Sequence, residues 1–233
     1  MWQLIEKIDI SLFYLINTSG QNAFFDVLMP FVSNEKNFYV PMAVCWLLLM
    51  TAGSGVSQHI VLKLEKLKIL PPSGPLRRFA FVQTKIKLRA VAVAIVALIA
   101  FSEWLSSDIL KPVFNRPRPF HSQSHVHLYD RMFKIWSVTP ELNTTVKGES
   151  RSLPSSHATN IFAAAVFFSF FFRKLWPLFY LIAFLVGYSR AYLGVHFPFD
   201  VFIGSIAGTL CGLLLAGISN HIIKFIKKKQ GAK

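Results

Sequence analysis

Residues 90–110, AVAVAIVALIAFSEWLSSDIL, hold two charged side chains over a length that crosses a membrane, and 37–56, 156–172, 175–194 and 199–223 are equally poor in charge. A bilayer's hydrocarbon core, about 30 Å thick, takes about 20 mostly apolar residues as a helix, the form that bonds every backbone group internally. Five such runs exclude an ordinary soluble domain. They predict an all-α fold, a polytopic transmembrane helical bundle of five or six spans. The hydrophobic share of 53% and the 23 phenylalanines agree.

The sixth span depends on the first 36 residues. Asn17, Thr18, Gly20, Gln21, Asn22 and Asp26 interrupt the apolar pattern there. The segment 1–36 fits two short interfacial helices, or an extra span through 8–30. Its opening mixes Glu6, Lys7 and Asp9 with apolar residues and lacks the basic-then-apolar order of a cleavable signal. The rest, 37–233, reads as one membrane domain, with a basic connector at 57–89, a turn expected at PPSGP (71–75), and a polar loop at 111–153 that has room for a surface helix.

Net charge is +14, yet the basic residues flank the apolar runs. Lys63, Lys66, Lys68, Arg77, Arg78, Lys85, Lys87 and Arg89 fill the connector, Arg173 and Lys174 a short turn, and Lys224, Lys227, Lys228, Lys229 and Lys233 the tail. Such clusters mark cytoplasmic sides and attract anionic lipid, and no recognition motif points to nucleic acid. Cys45 and Cys211 lie inside apolar runs and read as small hydrophobes.

With those basic segments inside, three polar motifs share the opposite face: KPVFNRPRP (111–119), PSSH (154–157) and SRAYLGVHFPFD (189–200). Pro198 suits the first turn of the last helix, and Asp200 the same turn. A carboxylate four residues after His196 can hold one imidazole nitrogen and leave the other as a nucleophile or base. Ser155 suits an N-cap, so the first amides of the next helix form an anion site beside His157. Lys111, Arg118 and Arg190 add cations, Arg190 with a fork matched to phosphate oxygens. Charge neutralisation, an attacking histidine and a protonating histidine are what phosphoryl transfer through a covalent intermediate requires.

Lys111-x6-Arg118-Pro119, Pro154-Ser155-Ser156-His157 and Ser189-Arg190-x5-His196-x3-Asp200 resemble the tripartite signature of the type 2 phosphatidic acid phosphatase (PAP2) superfamily, which includes vanadium haloperoxidases. The resemblance covers about 90–223. It implies that His196 forms a phosphohistidine, Asp200 orients it, and His157 protonates the leaving group. Lys111, Arg118, Ser155, Ser156 and Arg190 would bind the phosphate, without metal or other cofactor. The family more often has glycine at Ser156, where a side chain would narrow the pocket.

The expected activity is hydrolysis of a lipid phosphomonoester or diphosphate (polyprenyl diphosphate, phosphatidylglycerol phosphate or lipid A phosphate) in a bacterial inner membrane, with the site facing the periplasm or exterior. The partners are then the lipid phosphate and the bilayer. A non-catalytic lipid-headgroup binder or transporter is the alternative, although a carrier has no use for an oriented His196. A haloperoxidase fits less well, because those relatives are soluble. His121, His125 and His127 read as solvated loop residues, since no cysteine or carboxylate set accompanies them. Glu103 and Asp108 are expected to pair with the basic loop, and Arg116 stands outside the core set.

Overall fold

The computed structural model describes residues 2–50, 75–141 and 151–231. The expected turn at 71–75, most of the connector 57–89, the end of the run 37–56 and part of the loop 111–153 lie outside the described residues. The order is α1 (Trp2–Tyr14), α2 (Ala23–Ser33), α3 (Tyr39–Met50), α4 (Pro75–Trp104), α5 (Lys111–Phe114), α6 (Pro119–Ser122), β1 (His127–Asp130), β2 (Ile135–Val138), α7 (Ser156–Phe171), α8 (Trp176–Tyr192) and α9 (Pro198–Gly231). A π-helical stretch, Leu105–Leu110, joins α4 to α5. Within these helices, Lys87–Phe114 and Pro198–Lys229 are long and apolar enough to cross a membrane; α7 is apolar but shorter.

The chain forms two compact units. The first 37 residues and Leu98–Leu214 make one; Phe38–Ala97 and Leu215–Lys233 make the other. In the second unit, the Trp46 indole donates to the Ala92 carbonyl at 2.8 Å, and Arg89 Nε to that of Met50 at 3.1 Å, which ties α3 to α4.

In the first unit α7 and α9 touch backbone to backbone. A Cβ added at Gly204, Gly208 or Gly212 would lie 2.7, 2.2 and 2.6 Å from the carbonyl oxygens of Ser155, Thr159 and Ala163. Glycine every fourth residue puts one bare stripe along α9, and that stripe lets the helices approach. The outward faces of α8 and α9 carry exposed Leu181, Phe184, Leu210, Leu213 and Leu214. Apolar surface of that kind suits lipid tails and aggregates in water.

The 111–153 segment differs from the surface helix for which its length leaves room. Residues 127–138 form an antiparallel hairpin with His127 opposite Val138 and Asp130 opposite Ile135. Its strands, HLYD and IWSV, carry aromatic and β-branched residues suited to a pleated ribbon. Asp130 closes the turn by accepting from the amides of Met132 and Phe133 at 2.7 and 3.0 Å. Lys134 takes a positive φ of 57°, a geometry no helix period would show. His127 is half-buried rather than free in the loop: its ring stacks on Trp136 at 4.2 Å.

The N-terminal segment is locked to this loop. Asn17, fully buried, donates to the carbonyls of His127 and Tyr192, both at 2.8 Å, and accepts from the His127 amide at 2.9 Å. Phe13 packs with Val126 and Phe197, and Met29 with Tyr192 and Leu193.

The glycine stripe yields a direct test. Replacing Gly208 with alanine forces two backbones apart and is expected to cost about 1–3 kcal/mol, the usual range for overpacking. Gly217→Ala has nothing within 4 Å of the new methyl and should be neutral. Melting midpoints of both variants in one detergent check this, with a drop for the first alone.

Candidate active site

The start of α9 is the anchor of the site. Pro198 begins the helix and Asp200 sits in its first turn, as the sequence predicts. Asp200 is fully buried. One oxygen, Oδ2, accepts from the Phe197 amide at 2.8 Å and faces His196 Nδ1 at 3.6 Å. That separation exceeds a hydrogen bond, so the carboxylate acts on the imidazole through charge. The other oxygen, Oδ1, accepts from Arg116 Nη1 at 2.8 Å.

His196 itself is held by backbone. The amides of Val195 and His196 both donate to the Arg190 carbonyl at 3.2 Å, and Gly194 makes the turn with φ +78°. A Cβ at Gly194 would meet the His127 carbonyl and Val126 at 2.8 Å, so only glycine fits beneath the hairpin. Burial pushes the His196 imidazole down to about 4, with Arg190 and Arg118 adding to the depression and Asp200 opposing it. The neutral ring is the form with a free lone pair.

Ser155 caps α7 as expected, its hydroxyl accepting from the Ala158 amide at a long 3.5 Å. The Ser155 amide donates to the Asp200 carbonyl at 3.0 Å, which joins the second motif to the third. Ser156 turns its hydroxyl toward the π-helical stretch, 3.0 Å from that of Ser107. Ser107 donates in turn to Glu103 at 2.6 Å, as does Asn160. Glu103 therefore holds α4 to α7 by hydrogen bonds rather than by pairing with a loop cation, though Lys111 lies within its field.

The first motif folds as its prolines require. After α5, Asn115 takes a left-handed conformation, the chain extends through Pro117, and Pro119 opens α6. Ser152 fastens this segment to the second motif, its amide donating to the Arg116 carbonyl at 2.8 Å and its hydroxyl to that of Pro117 at 3.0 Å. All three motifs are thus joined by direct bonds. Arg118 and Arg190 are among the charged neighbours of Lys111, and His196, Lys111 and Arg190 among those of His157.

Four buried nitrogens in this cluster have no hydrogen-bond partner among the described residues: Arg118 Nε, His157 Nε2, Arg190 Nε and His196 Nδ1. Together they represent all three motifs. Unmet buried polar nitrogens are uncommon, and two guanidiniums beside two imidazoles suit an oxyanion. Among the described residues no group of three or more His, Cys, Asp or Glu could hold a metal ion.

Sequence reasoning missed four contributors. Arg116 bridges Asp200 and Asp9, the latter at 2.6 Å. Ser33 contacts Arg190 through its hydroxyl and Arg131 through its carbonyl. Glu35 lies 3.6 Å from His157 Nε2. These pairings span over 80 residues, so no local pattern announces them; the one available signal was Arg116's position two residues before Arg118.

The His196 environment predicts a pH response. An unfolded imidazole binds a proton near 6.5, whereas the folded one resists until about 4. The residue's stabilising contribution is therefore complete above the unfolded value and is lost as pH falls from about 6.5 toward 4. Melting midpoints should decline across that window, and His196→Gln should flatten the decline; an unchanged slope would contradict the assignment.

A family model described as the PAP2 superfamily matches residues 90–224. A lipid A 4'-phosphatase from Bacteroides thetaiotaomicron is 30% identical over 132 residues, 56% of this chain and 54% of that one. Phosphatidylglycerophosphatase B from Bacillus subtilis is 34% identical over 114 residues, 43% of this chain and 56% of that one. The chain thus spans about half the length of these curated relatives. Among solved structures, LpxE from Aquifex aeolicus is 27% identical, with 88% of this chain and 93% of that one covered and a TM-score of 0.47.

Proposed function

Because the chain belongs to the PAP2 superfamily, we propose that it is a membrane-embedded, metal-independent lipid phosphatase acting through a phosphohistidine. The observation that carries this reading is the gathering of buried nitrogens without hydrogen-bond partners on Arg118, His157 and Arg190 beside the His196 imidazole, which is kept neutral. A phosphate group among them supplies the missing acceptors.

In the proposed reaction His196 Nε2 attacks phosphorus, and the phosphorus–oxygen bond to the lipid breaks. His157 gives its proton to the departing oxygen. Water then attacks the phosphohistidine, His157 takes the water's proton, and inorganic phosphate leaves. Asp200, 3.6 Å from Nδ1, favours the proton on that nitrogen through its charge and balances the charge that grows on the imidazole ring. Lys111, Arg118 and Arg190, with the amide of Ser156, neutralise the phosphoryl oxygens where charge develops, while the Ser155 amide, spent on the Asp200 carbonyl, holds the head of α7 in place. The phosphate's own charge offsets Arg190, Arg131 and Lys111 around His157 and favours the imidazolium that donates the proton.

The architecture we infer is a bundle of five spans, with α1 and α2 at the surface beside the site. Arg173, Lys174 and the lysines of the tail lie cytoplasmic, so the reacting end faces away from the cytoplasm, in a bacterial inner membrane. The apolar tail of the substrate lies among helices while its headgroup meets the cations. The names of the relatives make a lipid A 4'-phosphate the first substrate to try, followed by phosphatidylglycerol phosphate and polyprenyl diphosphate.

Phosphate release from these lipids in detergent tests the reading. Turnover should persist in EDTA, fall with vanadate, and vanish in His196→Ala. His157→Ala should lower kcat by about 10²–10⁴, the range for a general acid. Headgroup binding without turnover on any of them would favour a carrier.

A further inference from the structure

We propose that Arg116 is a positioning residue for the His196–Asp200 pair, and that Asp9 fixes Arg116 in turn, so that α1 belongs to the active-site scaffold. This rests on the phosphatase reading for its kinetic consequences, while the geometry stands by itself.

Asp200 has two oxygens and two tasks. Rotation of the carboxylate would exchange them, and a fully buried group has no water to resist that exchange. Arg116 Nη1 occupies Oδ1 at 2.8 Å, which leaves Oδ2 for the Phe197 amide and for His196. Arg116 is itself constrained on three sides. Its Nη2 donates to Asp9 Oδ2 at 2.6 Å, its guanidinium lies 4.0 Å over the Phe197 ring, and its carbonyl accepts from Ser152.

Asp9 completes the circuit. It is 4% exposed, and its Oδ1 accepts from the Phe199 amide at 2.8 Å. Both its oxygens accept, as a carboxylate's must. Two carboxylates against one guanidinium leave one net negative charge beneath His196. That charge matches an imidazole ring becoming cationic as it takes a phosphoryl group. A planar fork can grip two carboxylates in a fixed plane, and a lysine's point charge cannot.

The experiment uses the full chain in detergent, as wild type, R116Q, R116K, D9N and the double variant. Phosphate release gives kcat and KM, and nitrogen-15 histidine NMR reads the His196 tautomer without requiring turnover. R116Q should lower kcat about tenfold or more while KM stays within about threefold, because the lost interaction serves the transition state. R116K should recover part of the loss, D9N should lose less than R116Q, and the double variant should be no worse than R116Q alone. The wild-type ring should carry its proton on Nδ1, and R116Q should show a mixture.

A folded R116Q with wild-type kcat, or with an unaltered tautomer, overturns the proposal. Should R116Q fail to fold, D9N decides: an unchanged tautomer overturns the proposal and a mixed one supports it. If wild type hydrolyses no lipid phosphate, the phosphatase reading fails, and the tautomer comparison still settles the role of Arg116.

Discussion

The close approach of α7 and α9 is the constraint on which the polar end depends. Three glycines strip one face of α9 bare, and the backbones that meet there bring Ser155 within hydrogen-bond reach of the Asp200 carbonyl. Side chains on that stripe would push the two helix starts apart. The amides at the head of α7 and the acid at the head of α9 would then face different places. Apolar packing within the bilayer supplies little directional force, so contact between small residues does the locating.

The polar groups at that end are satisfied in a graded way. Asp200, Asp9, Glu103 and Asn17 have all their roles taken by named donors and acceptors, while Arg118, His157 and Arg190 each keep a nitrogen unmet. The acids are rigid supports and the bases are the receptive surface. That division suits an anionic ligand, because unpaired buried carboxylates would repel it and unpaired cations draw it in.

Much of the site could be read from the sequence because its signals are local. Proline, a helix-starting serine and an acid in a first turn each announce a helix end within a few residues, and the structure puts α7 and α9 where those signals fall. The hairpin, the Asp9–Arg116–Asp200 bridge and the contacts of Ser33 were not legible. Their partners lie far apart in the chain, and neither a 3.6-residue nor a two-residue period marks such a pairing. Ser156 shows the same limit: its place in the motif predicts a hydroxyl that crowds the pocket, yet it lies against Ser107 of the neighbouring π-helical stretch.

Asn17 has a consequence for how the outer loop yields. Its amide grips the base of the hairpin and the end of α8 together, while the hairpin's far turn, Arg131 to Lys134, is exposed. The ribbon is clamped at its root by Asn17 and near its turn by Arg131, which donates to the Ser33 carbonyl. Both clamps, Asn17 and Ser33, lie on the N-terminal segment, so any displacement of that segment carries the hairpin with it.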